Sequence, residues 1–172
     1  PAATPAPPET PAQTYSFPAK QQRFIDAIND VMEPYNNASN ELKKSALRRQ
    51  RKKAIRKALK GKRTVYNWIG KLSSMGTNGD GHAYIYVSLP GYSIQINTWN
   101  NSFSDMDDRT LIKPSSSLYN KIADLEEGRM VKFSGTFRPS SEDYAKESSM
   151  TEYGSVTDPT FIFRFKSIRS LE

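Results

Sequence analysis

The sequence has no cysteine and a single histidine, His82. The first absence excludes a disulfide scaffold, a thiolate zinc site and a cysteine nucleophile. The second excludes multi-histidine metal centres and leaves a Ser-His triad without a spare base. No apolar run approaches the roughly 18 residues needed to span a bilayer, so the chain holds no transmembrane segment. Apolar residues are scarce, at 36% of 172 residues with a mean hydropathy of −0.70, which predicts that part of the chain stays outside any core. No serine sits in a recognisable nucleophile setting. The acid pairs Glu126-Glu127 and Glu142-Asp143 fall in expected turns or loops. Composition therefore points away from an enzyme and implies no cofactor and no metal.

Charge is present but uneven. The net charge is +7, yet 12 Lys and Arg and no acid lie between Lys43 and Arg63, and the rest of the chain is net acidic, at −5. A basic character confined to one segment implies an acidic partner for that segment rather than for the whole protein.

Along the chain, the length allows one ordinary domain with appendages. Residues 1–16 open with five prolines and four alanines, and predict an extended, disordered spacer with nothing to bury. Residues 17–61 read as a helical segment with a basic second half. Phe24, Ile28, Val31, Tyr35, Ala38 and Leu42 recur at spacings of four and three, the apolar seam of an amphipathic helix. Pro34 lacks an N–H and interrupts the seam, so two helices or one kinked helix are expected, at about 18–33 and 35–60. Gly61 is the expected stop.

Residues 62–170 change texture. Val65–Leu72, His82–Leu89, Tyr92–Trp99, Arg129–Phe137 and Thr160–Ile168 are rich in β-branched and aromatic residues with partial alternation. Ser116–Leu125 reads as a short helix between the third and fourth strands, ended by Gly128. Three meandering strands, a helix and two strands is the order of the five-stranded OB barrel. The expected class is α+β, an N-terminal helical segment followed by an OB-like β-barrel. Four stretches carry a family resemblance: Asn67-Trp68-Ile69-Gly70-Lys71-Leu72, Thr98-Trp99-Asn100-Asn101 with Ser104-Asp105, Thr110-Leu111-Ile112, and Lys132-Phe133-Ser134-Gly135. Through them, residues 64–169 resemble the small bacterial OB-fold-like domains of the tRNA-anticodon-binding-like type, a family with no settled ligand. The resemblance implies a barrel, and implies ligand contact on the outer face of strands two and three.

Four candidate sites follow. The basic helix offers Lys43, Lys44, Arg48, Arg49, Arg51, Lys52, Lys53, Arg56 and Lys57 to nucleic-acid phosphate or anionic lipid, or to pairing with acids of the same molecule. Inward Ile85 and Val87 turn Tyr84 and Tyr86 outward beside His82, Gln95 and Asn97, a ligand or partner surface unless the N-terminal helices cover it, which is the favoured expectation. The loop from Trp99 to Arg109 holds Asp105, Asp107 and Asp108, but lacks the spacing of a calcium loop. It reads better as a polar connection pinned into the barrel by Trp99 and Phe103. The glycines of Gly76–Gly81 fit a hairpin turn better than a phosphate cradle, which must open onto a helix. The long connection Arg138–Pro159 is a site candidate by analogy with barrels in which it closes over ligand.

Two functions remain in view. One is a non-enzymatic OB-fold interaction module tethered in the bacterial cell envelope, periplasmic, with protein partners or self-association through the N-terminal helices. The alternative is a cytoplasmic single-stranded nucleic-acid-binding protein using the basic helix on phosphate.

Overall fold

A computed structural model describes residues 15–171. The elements run α1 (Ala19–Asn36), α2 (Glu41–Ala58), β1 (Thr64–Thr77), β2 (Ala83–Ser88), β3 (Gln95–Asn97), α3 (Ser117–Ala123), β4 (Met130–Phe137), β5 (Pro139–Ser140), β6 (Tyr144–Ala145), α4 (Glu152–Thr157) and β7 (Thr160–Ser170). The spacer expected at 1–16 lies, apart from Tyr15 and Ser16, outside the described residues.

β1, β2, β3, β7 and β4 close into a barrel in that order. Every pairing is antiparallel except β3 with β7. This is the expected α+β architecture, with α3 between the third and fourth barrel strands. β1 runs past its expected end because it pairs twice: its first half with β4, and its second half, to Thr77, with β2. Bulges at both halves bend it around the barrel. At the first bulge Asn67 takes a left-handed φ of +56°, and its N–H donates to Ser134 Oγ at 2.8 Å. The third strand is shorter than expected, since Tyr92 closes a turn onto Leu89 and Thr98 leaves the ladder to bond Ile85.

The helices form a hairpin that plugs one end of the barrel. Phe24 of α1 meets Trp68, Phe137 and Phe161, with ring centroids 5.0–5.2 Å apart. Beside it the Gln21 amide pairs with both backbone groups of Ile69, at 2.6 and 2.9 Å. Ile28, Ile55 and Leu59 complete this layer, all fully buried. α3 sits at the other end and buries Ile122; Ser116 caps it by accepting from the Tyr119 N–H.

Two helix expectations need correction. α1 continues through Pro34 to Asn36, because only the exposed Asp30 carbonyl loses its bond there and the chain needs one more turn to bury Tyr35. The buried seam therefore ends at Tyr35, and Leu42, on the next helix, is 83% exposed. α2 starts at Glu41, capped by Asn40, whose side chain accepts from the Lys43 N–H. It ends in a Schellman motif, with Gly61 N–H on Arg56 O and Lys60 N–H on Lys57 O. Gly61 is the expected stop at φ +69°, but Lys60 also takes a left-handed φ, of +52°.

Candidate functional site

α2 has two chemically different faces. One stripe turns toward the long connection between β4 and β7. Arg51 there is fully buried, donating to Asp143 at 3.1 Å and to the Ser155 carbonyl at 2.5 Å. Arg48 pairs with Asp143 and Glu152, and Lys52 donates to Ser141 O. Arg63, beyond the helix, donates to Tyr144 O and lies 3.9 Å from the centre of that ring. The polyanion assignment thus fails for Arg51, which no external anion can reach. Arg48 and Lys52 are likewise engaged inside the molecule. The long connection is correspondingly committed: β6 packs against α2, and α4 against α1 with Ser155 and Val156 buried, rather than forming a free flap.

The opposite face is solvated. Lys43, Arg49, Lys53, Arg56 and Lys57 are exposed, as are Lys60 and Lys62 on the following turn. Lys43 and Arg49 donate only to Ser39 and Ser45 hydroxyls. Among the described residues none of these seven forms an ion pair. Lys44 does, with Glu41, and also lies over the Tyr35 ring. Steps of four and three residues keep Arg49, Lys53 and Arg56 on one face. Arg49 to Lys57 alone spans about 12 Å of helix.

Two further cations join this surface at its C-terminal end. Lys20 and Arg23 of α1 lie where Lys60 and Lys62 emerge, and Lys20 Nζ donates to Thr64 O at 3.3 Å. Burial pushes the Lys20 ammonium below its ordinary 10.5, and the charges of Lys60, Lys62 and Arg23 push it further. Nothing in the spacing of α1 marks Lys20 and Arg23 as neighbours of the basic segment. The helix hairpin brings them there.

The aromatic candidate lies elsewhere. Tyr84 and Tyr86 are half-buried on the outer face of β2, with centroids 5.3 Å apart. The favoured expectation, that the N-terminal helices cover them, is not met: the rings the helical segment brings to the barrel, Phe17 and Phe24, meet Tyr92, Trp68, Phe137 and Phe161 at its plugged end. Tyr84 folds down onto Gly76, its register partner, where a Cβ would stand 2.5 Å from the phenol oxygen. Burial raises the Tyr86 phenol pKa, while a side-chain hydrogen bond with Asn100 opposes the shift. Gln95 is half-buried, and Asn97 is buried, bonded to Val87 N–H and Gln95. Asn97 is therefore unavailable to a ligand. His82 is half-buried at the start of the strand, beside Met106 and Arg109.

Two of the three acids of the loop, Asp105 and Asp108, are engaged inside the molecule, and Asp107 is exposed. Asp105 accepts from Thr110 N–H, Thr110 Oγ1 and Leu111 N–H, and Asp108 accepts from Trp99 Nε1 and Lys146. Trp99 pins the loop as expected, but Phe103 points outward at 85% exposure. Asp80 accepts from Ser102, which ties the glycine-rich hairpin to the same loop. Among the described residues no three His, Asp or Glu side chains converge on a cation position, and no helix is long and apolar enough to cross a membrane. No family model, curated protein or solved structure matches this chain.

Proposed function

We propose that this chain is a non-enzymatic OB-like binding module that attaches to an extended polyanion through the outer face of α2. The observation that supports this reading is the sorting of charge on one helix. The inward cations are matched by Asp143, Glu152 and carbonyls, while Lys43, Arg49, Lys53, Arg56 and Lys57 face solvent without an acid. A cation needed only for packing would be paired like Arg51, and one needed only for solubility would alternate with acids. A helix row of this kind follows a phosphate backbone without reading bases.

The test is fluorescence-monitored binding of a labelled single-stranded oligonucleotide across a salt series. Five neutralised phosphates on a single strand predict a slope of log K against log salt of about −3.5. Replacing Arg49 and Lys53 by Gln flattens that slope. No binding at low salt rejects the reading.

A second reading, a protein-contact surface on β2, is supported by the half-exposed Tyr84 and Tyr86. Self-association through the helices has less to draw on, because the α1 seam from Phe24 to Tyr35 is spent inside the molecule. A strictly monomeric mass by light scattering removes the self-association arm.

A further inference from the structure

We propose that Lys20, Arg23, Lys60 and Lys62 together form a discrete site for a compact multivalent oxyanion of the phosphate class, at the end of the barrel plugged by the helix hairpin. This goes beyond attachment of a polymer along α2, since half of the site comes from α1.

Three local choices at this spot run against stability, and all three add or retain positive charge. First, Lys20 stands in the first turn of α1, the positive end of its dipole, with Arg23 following in the second turn; the first turn contains no acid and Pro18 supplies no side-chain cap. Acids are the stabilising choice at that end. The dipole explains Arg56 and Lys57 at the C-terminus of α2, but it opposes Lys20. Second, Lys60 occupies the C′ position of the Schellman motif at φ +52°, a conformation that glycine adopts without steric cost. Gly61 shows that glycine is available one residue on, yet the lysine is retained at the strained position. Third, the four cations come from two places far apart in the chain, α1 and the turn after α2, which the bond from Lys20 Nζ to the Thr64 carbonyl brings together. Lys60 and Lys62 are close enough to Lys20 to depress its proton affinity, and among the described residues no ion pair involves any of the four. Lys20 is half-buried, with its ammonium on the Thr64 carbonyl, while Arg23, Lys60 and Lys62 are exposed. The half-buried cation is positioned and the other three can close around an anion. A compact anion carrying two or more charges relieves the repulsion between all four at once, which chloride at the same ionic strength does only by screening. The fork of Arg23 and the point charges of the lysines suit phosphate oxygens.

The experiment is thermal unfolding of the whole chain in sodium tripolyphosphate, against sodium chloride at matched ionic strength. Tripolyphosphate is expected to raise the midpoint in a saturable way that chloride does not reproduce. Arg23→Gln and Lys62→Gln, both at exposed positions, are each expected to weaken the apparent Kd about tenfold, the scale of one lost charge-assisted contact. Lys166→Gln, on the exposed side of β7, leaves it unchanged. An equal shift in chloride overturns the proposal, and so does wild-type affinity in both cluster variants with the circular dichroism spectrum intact. Binding to phosphatidylglycerol vesicles with no tripolyphosphate response also overturns it, in favour of a membrane surface. If the oligonucleotide fails to bind while tripolyphosphate binds saturably, the polymer reading falls and this site stands.

Discussion

Arg51 contributes a fully buried guanidinium to a protein whose surface already has cations to spare. Its partners, Asp143 and the Ser155 carbonyl, lie 92 and 104 residues away, and Asp143 is itself almost out of water. Such a pair adds little over an apolar packing, but breaking it leaves the buried Asp143 carboxylate with only its longer, 3.4 Å contact to Arg48. Arg51→Ala is expected to cost about 3–5 kcal/mol in urea denaturation. Arg49→Ala, two residues away and solvated, should stay within about 0.5 kcal/mol of wild type. Gly135 is as constrained on the barrel wall: a Cβ there would stand 2.1 Å from the Arg164 carbonyl oxygen. Gly135→Ala forces the β4–β7 ladder apart and should cost about 1–3 kcal/mol or more. Lys20 gives the pH prediction. Its folded pKa lies below 10.5, so between the two values the unfolded chain binds more protons and stability rises with pH. Lys20→Gln should therefore gain stability over wild type near neutral pH, an advantage that shrinks as pH rises through the lowered pKa toward 10.5. A comparison of denaturation midpoints at pH 7 and pH 10 checks it.

At the scale of elements, α1 is the stopper of the barrel rather than an appendage. Phe24 fills the space between Trp68, Phe137 and Phe161, and Gln21 occupies both hydrogen-bonding groups of Ile69. Phe24→Ala is expected to cost about 3–5 kcal/mol and to loosen the barrel and the hairpin together, visible as lost hydrogen-exchange protection in β1 and β7 as well as α1. The order of the first three helices and the five barrel strands was legible in the sequence because it rests on local signals, period two in β2 and β7, the seam from Phe24 to Tyr35 and a serine before α3, whereas β5, β6 and α4 inside the long connection were not. What α1 packs against was not legible. An apolar stripe says that a helix must be covered, not which surface covers it. The expectation that it would lie over Tyr84 and Tyr86 followed from the lack of another cover for that face, yet the open barrel end, lined with phenylalanines, offered more apolar surface. Phe103 misled for a related reason: an aromatic in a polar loop is a burial signal only if the loop has somewhere to send it. Asp105 and Asp108 hold this loop down through hydrogen bonds and leave Phe103 outside.

For the whole molecule, the net charge of +7 has a location. Cations on the inward side of α2 are neutralised across the helix–connection contact, and the surplus collects on its outer face and at the meeting point with α1. Repulsion at that point is long-ranged in dilute salt. Raising ionic strength from about 0.01 M to 0.15 M shortens the screening length from about 30 Å to about 8 Å. The thermal midpoint should rise over that range, and the rise should be smaller in Lys62→Gln, as calorimetry at the two salt concentrations can determine. By itself the sequence determined the α+β class, the order of the barrel strands and the existence of one basic segment, because alternation, helical spacing and composition are properties of neighbours along the chain. Only the tertiary structure decided which of those cations are spent inside, that the barrel end rather than β2 receives the helices, and that Lys20 and Arg23 stand with Lys60 and Lys62. Each of those outcomes depends on residues some 40 to 100 positions apart, as the Lys20–Thr64 and Arg51–Asp143 bonds are. Charge and burial act through space, and separation along the chain does not encode them.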